Sequence, residues 1–120
     1  MKLYKLSKTW PQELSSDGMI DFLCNNAQDC GGEIDYSDAK HMVMYGGKYV
    51  LQSIPLSVFP YWTDFEGMDT SKVNDMPIVT LGPNYDWEII DGKHRIAVAN
   101  ALGKQNIMGY VFVEDPNQNN

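Results

Sequence analysis

The chain has 120 residues, of which 43% are hydrophobic and 12% aromatic, enough for one domain with a modest core. Its formal net charge is −7. That excludes non-specific DNA binding, which needs a basic surface to displace condensed counterions, and leaves room for a basic protein partner or for a small anion held in a local basic pocket.

Residues 1–46 read as an N-terminal helical extension. Lys2–Leu6 is expected as a short edge strand. The N-terminus carries lysines with no apolar run behind them, so it does not read as a signal peptide, and no apolar stretch reaches membrane-spanning length. The expectation is a cytoplasmic protein with no membrane contact. Ser15-Ser16-Asp17 supplies a helix N-cap, and Met19, Ile20, Phe22, Leu23 and Ala27 recur at helical spacing. They predict an amphipathic helix over roughly 17–28, stopped by Gly31-Gly32. Cys24 and Cys30 are expected to be reduced, with Cys24 packed on the helix face; no second Cys/His pair stands at zinc-finger spacing. Ser37-Asp38 is expected to cap a second short helix through His41 to Met44, closed by Gly46-Gly47. Asp38 and His41, one helical turn apart, read as a solvated face rather than as metal ligands. Tyr45-Gly46-Gly47-Lys48 lacks Walker spacing and reads as a turn.

Lys48–Ile54 is the next expected strand. Pro55 and Pro60 keep the next stretch irregular, and Tyr61–Asp75, rich in aromatic and acidic residues, reads as a long loop or lid. Met76–Leu81 and Tyr85–Ile90 form a hairpin around Gly82-Pro83-Asn84. A helix over about His94–Leu102 ends at Gly103, and Ile107–Val113, apolar on both faces, suits a covered central strand. The tail, 114–120, is expected to fray.

The chemistry concentrates in Asp91-Gly92-Lys93-His94-Arg95, where a strand meets a helix. The first helical turn presents backbone N–H groups and a positive dipole end, a combination that favours an anion, most often phosphate. Gly92 permits a sharp turn and close approach. Arg95 offers a planar fork for two phosphate oxygens, Lys93 a point charge, and His94 a donor or a proton shuttle. The bland alternative is that Asp91 caps the helix and Lys93 and Arg95 are solvated.

The same stretch resembles the signature of the ParB/sulfiredoxin fold: a strand, a Gly-x-His-Arg turn, a short alanine-rich helix, Leu102-Gly103 and a closing strand. Upstream, Ile54-Pro55-Leu56-Ser57 is similar to the strand that often opens such domains. The resemblance spans roughly 48–113. It implies an α+β fold with a small mixed sheet, a β-hairpin and a strand-turn-helix-strand unit, in a single domain of residues 1–120. Sulfiredoxin-like reductases need a cysteine where this chain has Lys93, and chromosome-partitioning members add a helix-turn-helix domain for which there is no room. Kinases of free serine share the Asp-Gly-x-His-Arg turn. By that resemblance Asp91 would accept a hydroxyl proton or hold Mg²⁺ with a nucleotide, His94 and Arg95 would hold phosphates, and Asp64 or Glu66 would add a second carboxylate.

Two functions compete. One is a domain that binds a nucleotide or other phosphate ligand at Asp91–Arg95, as a phosphotransferase or nucleotide hydrolase, with Asp91 and His94 catalytic and Gly92, Lys93, His94 and Arg95 on the phosphate. The other is a non-enzymatic acidic interaction protein, of the kind phages and mobile elements use as inhibitors or immunity proteins. It would meet a basic host protein through Tyr61, Trp62 and Phe65, side chains that would equally stack a base.

Overall fold

The computed structural model of the protein describes residues 3–6, 8–26, 34–59 and 73–115. Five strands make one mixed sheet: β1 (Glu13–Ser15), β2 (Gly47–Pro55), β3 (Ile78–Thr80), β4 (Ile89–Asp91) and β5 (Asn106–Glu114), in the order β1-β2-β5-β3-β4. Three α-helices accompany them among the described residues: α1 (Ser16–Asn26), α2 (Tyr36–Met42) and α3 (Lys93–Ala101). The α+β class with a mixed sheet is thus established.

The central ladder joins β2 and β5 antiparallel over nine pairs, from Gly47 opposite Glu114 to Pro55 opposite Asn106. Alternation along these two strands sorts the core into two layers. Tyr49, Tyr110 and Phe112 face α1, where Met19, Ile20, Phe22 and Leu23 fill the layer. Ile54 and Val111 face the other way, against Ile78 and against Ile96 and Ala99 of α3. Phe22 meets Tyr110 edge to face at 5.2 Å between ring centroids, and the Tyr110 hydroxyl donates to the Pro11 carbonyl at 2.6 Å. A buried tyrosine needs such a partner. β5 is buried on both faces at its centre, as its unbroken apolar run implies.

Local signals explain most boundaries. Ser15 caps α1, its Oγ accepting from the Gly18 N–H at 3.0 Å. Cys24, a free thiol, is half-buried against the α1 layer; Cys30 and the Gly31-Gly32 stop lie outside the described residues. The N-cap of α2 lies two residues before the expected Ser37. Asp35, not Ser37 or Asp38, is the N-cap, accepting from the Asp38 N–H at 2.8 Å, and the helix ends at Met42. Gly46 sits at φ +91° in the turn before β2.

Two expectations are corrected. Of the edge strand expected over Lys2–Leu6, the described residues 3–6 form none: Tyr4 makes a single isolated bridge to Asn74, and the strand that flanks β2 is Glu13–Ser15, which the sequence disguises with only one apolar residue. The hairpin has the expected partners but shorter strands. Pro83–Tyr85 forms a 3₁₀ turn, and Asp86 and Trp87 take left-handed backbone (φ +54° and +56°), which removes the first half of the expected second strand. Of the loop expected over Tyr61–Asp75, residues 61–72 lie outside the described residues, and Val73 to Asp75 belong to no named strand or helix, with Val73 and Asn74 buried.

Candidate functional site

β4 ends at Asp91, Gly92 turns the chain, and α3 starts at Lys93. Gly92 is obligatory on two grounds. Its φ is +112°, and a Cβ there would lie 2.5 Å from Cγ2 of Ile78. Ile78 belongs to the central part of the sheet, so the turn is pressed onto the core.

Gly92 is also the N-cap of α3, and no side chain caps this end; the first intrahelical bond runs from Ile96 N–H to Gly92 C=O at 3.0 Å. Asp91 therefore does not cap the helix. The other end is closed by a Schellman motif: Gly103 N–H donates to Asn100 C=O and Lys104 N–H to Ala99 C=O, both at 3.1 Å, with Gly103 at φ +75°. Three alanines favour the helix between these ends. The crossover from β4 to β5 carries α3 over β3, which lies between them in the sheet.

The three basic residues of the turn part company. Lys93 is exposed and His94 half-buried, whereas Arg95 is only 3% exposed. The guanidinium does not reach outward as a phosphate fork. Its Nη1 donates to the carbonyls of Met76 (2.9 Å) and Pro77 (2.6 Å), and its Nη2 pairs with Oδ2 of Asp91. The reason is helical geometry. Residue 95 falls on the face of α3 that carries the neighbouring buried positions, and four residues separate it from Asp91, one turn back. A charge in that layer must be paired and hydrogen-bonded. Sequence spacing alone contained this pair, since Asp and Arg at i and i+4 across a strand-to-helix turn are within reach, but the motif drew attention to the ligand role.

The site thus has an outer part and an inner part. The outer part is the uncapped first turn with Lys93 and His94. The inner part is the Asp91–Arg95 pair, which ties the turn to Met76 and Pro77, the segment leading into β3. Tyr61, Trp62 and Phe65, with Asp64, Glu66 and Asp69, lie outside the described residues. Among the described residues no three His, Cys, Asp or Glu side chains gather to hold a metal. Asp38 and His41 are exposed on α2. No helix of the described residues is long and apolar enough to cross a membrane.

Set beside protein-family models, curated proteins and solved structures, the chain matches none of them.

Proposed function

We propose that this is a ParB/sulfiredoxin-like domain that binds a nucleotide or another phosphate-bearing ligand at the start of α3, with phosphotransfer or nucleotide hydrolysis as its chemistry. The observation that carries the reading is a nine-residue helix whose N-terminus no side chain caps, opened by a left-handed glycine and flanked by Lys93 and His94. The family part of the reading is supported by the order of elements around the motif: edge strand, glycine turn, alanine-rich helix, Schellman stop and central strand.

In this reading the ligand's phosphate accepts from the N–H groups of Lys93 and His94, where the helix dipole adds positive potential. The Lys93 ammonium supplies charge. The His94 imidazole donates to the phosphate or moves a proton near neutral pH. Arg95 acts from behind as a positioning residue, fixing Asp91 and the first turn. Arg95 holds Oδ2 of Asp91, so Oδ1 is the atom that would accept the proton of an attacking hydroxyl or water. The carboxylate's charge is balanced by Arg95, which makes it a poor lone anchor for a divalent ion. Any Mg²⁺ would be held by the nucleotide's own phosphates, as this ion commonly is.

The test is a thermal-shift screen of inorganic phosphate and of nucleoside mono-, di- and triphosphates, with and without Mg²⁺. A ligand at about a hundred times its dissociation constant should stabilise the fold by roughly 2.7 kcal/mol. Lys93→Glu, by weakening the ligand about tenfold or more, should cut this stabilisation by about half or more. No shift with any phosphate compound at millimolar concentration would overturn the proposal. The acidic-interaction alternative would then stand, and it is checked directly by capture of a basic partner that Trp62→Ala abolishes.

A further inference from the structure

A cleft lies at the far end of the sheet from Gly92. β5 pairs with β2 up to Glu114, but its pairing with β3 stops at Val111 opposite Thr80. Beyond that point β3 gives way to the loop 82–87, and a cleft of about 350 Å³ opens between this loop and the end of β5. That is within the size range of small-ligand sites, about 300–1,000 Å³.

Its lining has a distinct chemistry. The residues that line it include the aromatic Tyr85, Trp87 and Phe112, the amide-bearing Gln52 and Asn84, and the carboxylate-bearing Glu114. No lysine, arginine or histidine is among the described residues that line it. Lys48 stands opposite Val113 in the ladder but pairs with Glu13 at 3.0 Å. The rings do not stack on one another. Tyr85 meets Phe112 edge to face at 6.2 Å between centroids, and Trp87 meets Phe59 likewise at 6.1 Å.

The loop is held in shape. Trp87 N–H and Tyr85 N–H both donate to Gly82 C=O, at 2.9 and 3.1 Å, and Thr80 Oγ1 donates to Glu88 C=O at 2.9 Å. Asp86 and Trp87 keep left-handed backbone, a conformation a tryptophan rarely adopts. The Tyr85 hydroxyl bridges the mouth, donating to Oε1 of Glu114 at 2.6 Å. Consistently, that hydrogen bond to the carboxylate raises the Tyr85 hydroxyl above its usual pKa.

We infer that this cleft binds an organic cation, an alkylammonium or guanidinium group, seated on the rings of Tyr85 and Trp87 with Glu114 as its counter-charge. Aromatic faces attract a cation within about 6 Å of the ring centroid, and a nearby carboxylate adds to that attraction. An anionic ligand would meet Glu114 with no cation among the described lining residues to offset it, so this site and the start of α3 select opposite charges. The inference stands independently of the phosphate reading.

Two sources could deliver the group: a free small cation, or a lysine or arginine side chain of a basic protein. The experiment follows the indole N–H resonance of Trp87 by NMR during titration with choline, its neutral isostere 3,3-dimethylbutanol, arginine methyl ester, and an arginine-containing peptide. The expected result is a saturable shift with choline or the arginine ester, and binding of the isostere at least about tenfold weaker. Glu114→Gln, and Trp87→Phe followed through the backbone amides of Tyr85 and Glu114 instead of the indole, should each weaken cation binding several-fold while the spectrum stays folded. Peptide binding tighter than the ester assigns the site to a protein side chain; equal or weaker peptide binding assigns it to a small molecule. No shift of Trp87 with any cation, or equal binding of choline and its neutral isostere, would overturn the inference.

Discussion

Arg95 reaches back one helical turn to Oδ2 of Asp91, with side chains 3% and 18% exposed, and its other terminal nitrogen binds the two carbonyls that lead into β3. One guanidinium thereby joins the end of β4, the first turn of α3 and the entry to the central sheet.

Removing it should cost stability first. Arg95→Ala strands a partly buried carboxylate and two buried carbonyls, and breaking such a pair costs about 3–5 kcal/mol. Arg95→Lys should recover little of this, because an ammonium does not span three acceptors with a planar fork. Urea denaturation measures both. A loss under about 1 kcal/mol for Arg95→Ala would mean that the pair behaves as a solvated surface contact.

The two glycines flanking α3 should respond differently to alanine. Gly92→Ala combines left-handed backbone with a contact of 2.5 Å to Ile78. Gly103→Ala has the same backbone problem at φ +75°, but nothing lies within 4 Å. Gly103→Ala should therefore cost about 1–2 kcal/mol, and Gly92→Ala clearly more. Equal losses would show that Ile78 gives way at no cost.

Alkaline pH should destabilise the fold through buried phenols. Burial raises Tyr49 and Tyr110 above the ordinary tyrosine value; the Met44 N–H bonded to the Tyr49 hydroxyl opposes this only in part. With the folded value above the unfolded one, the stabilisation is complete below about pH 10 and is lost as pH rises through the folded value. Tyr49→Phe should cost about 1 kcal/mol at neutral pH through the lost Met44 bond, and should flatten the loss of stability above pH 10. An unchanged alkaline slope, followed by circular dichroism, would contradict this.

Much of the fold could be read from the chain because its signals are local. The Ser15 cap, the alanine-rich run closed by Gly103, and the apolar run of β5 each depend on neighbours in sequence. The misread elements depend on contacts made elsewhere. Glu13–Ser15 is a strand because Val50, Tyr49 and Lys48 lie beside it, not because of its own composition. Tyr85–Glu88 alternates like a strand, but Pro83 and two left-handed residues bend it into a turn. At the site, the glycine turn and the helix start stand where the sequence put them. The direction of Arg95 was hidden because the same residue type serves a phosphate or a buried carboxylate equally well, and burial on the α3 face decides between them.

At the outer part of the site, Lys93→Glu should weaken any phosphate ligand by about tenfold or more, since a charge-assisted contact contributes about 1.5–3 kcal/mol. His94→Ala should slow turnover more than it weakens binding if the imidazole moves a proton. Calorimetry and a phosphate-release assay separate the two effects, and equal loss in both would make His94 a binding residue only.

The central claim, a phosphate site at the start of α3, is tested most directly by a titration of the ¹⁵N-labelled protein with inorganic phosphate and with ATP. The account predicts saturable shifts of the Lys93 and His94 backbone amides with both ligands, absent with sodium chloride at equal ionic strength and requiring at least about tenfold more ligand in Lys93→Glu. Amides at the start of α3 that stay in place at saturating nucleotide, or that move equally with chloride, would contradict it.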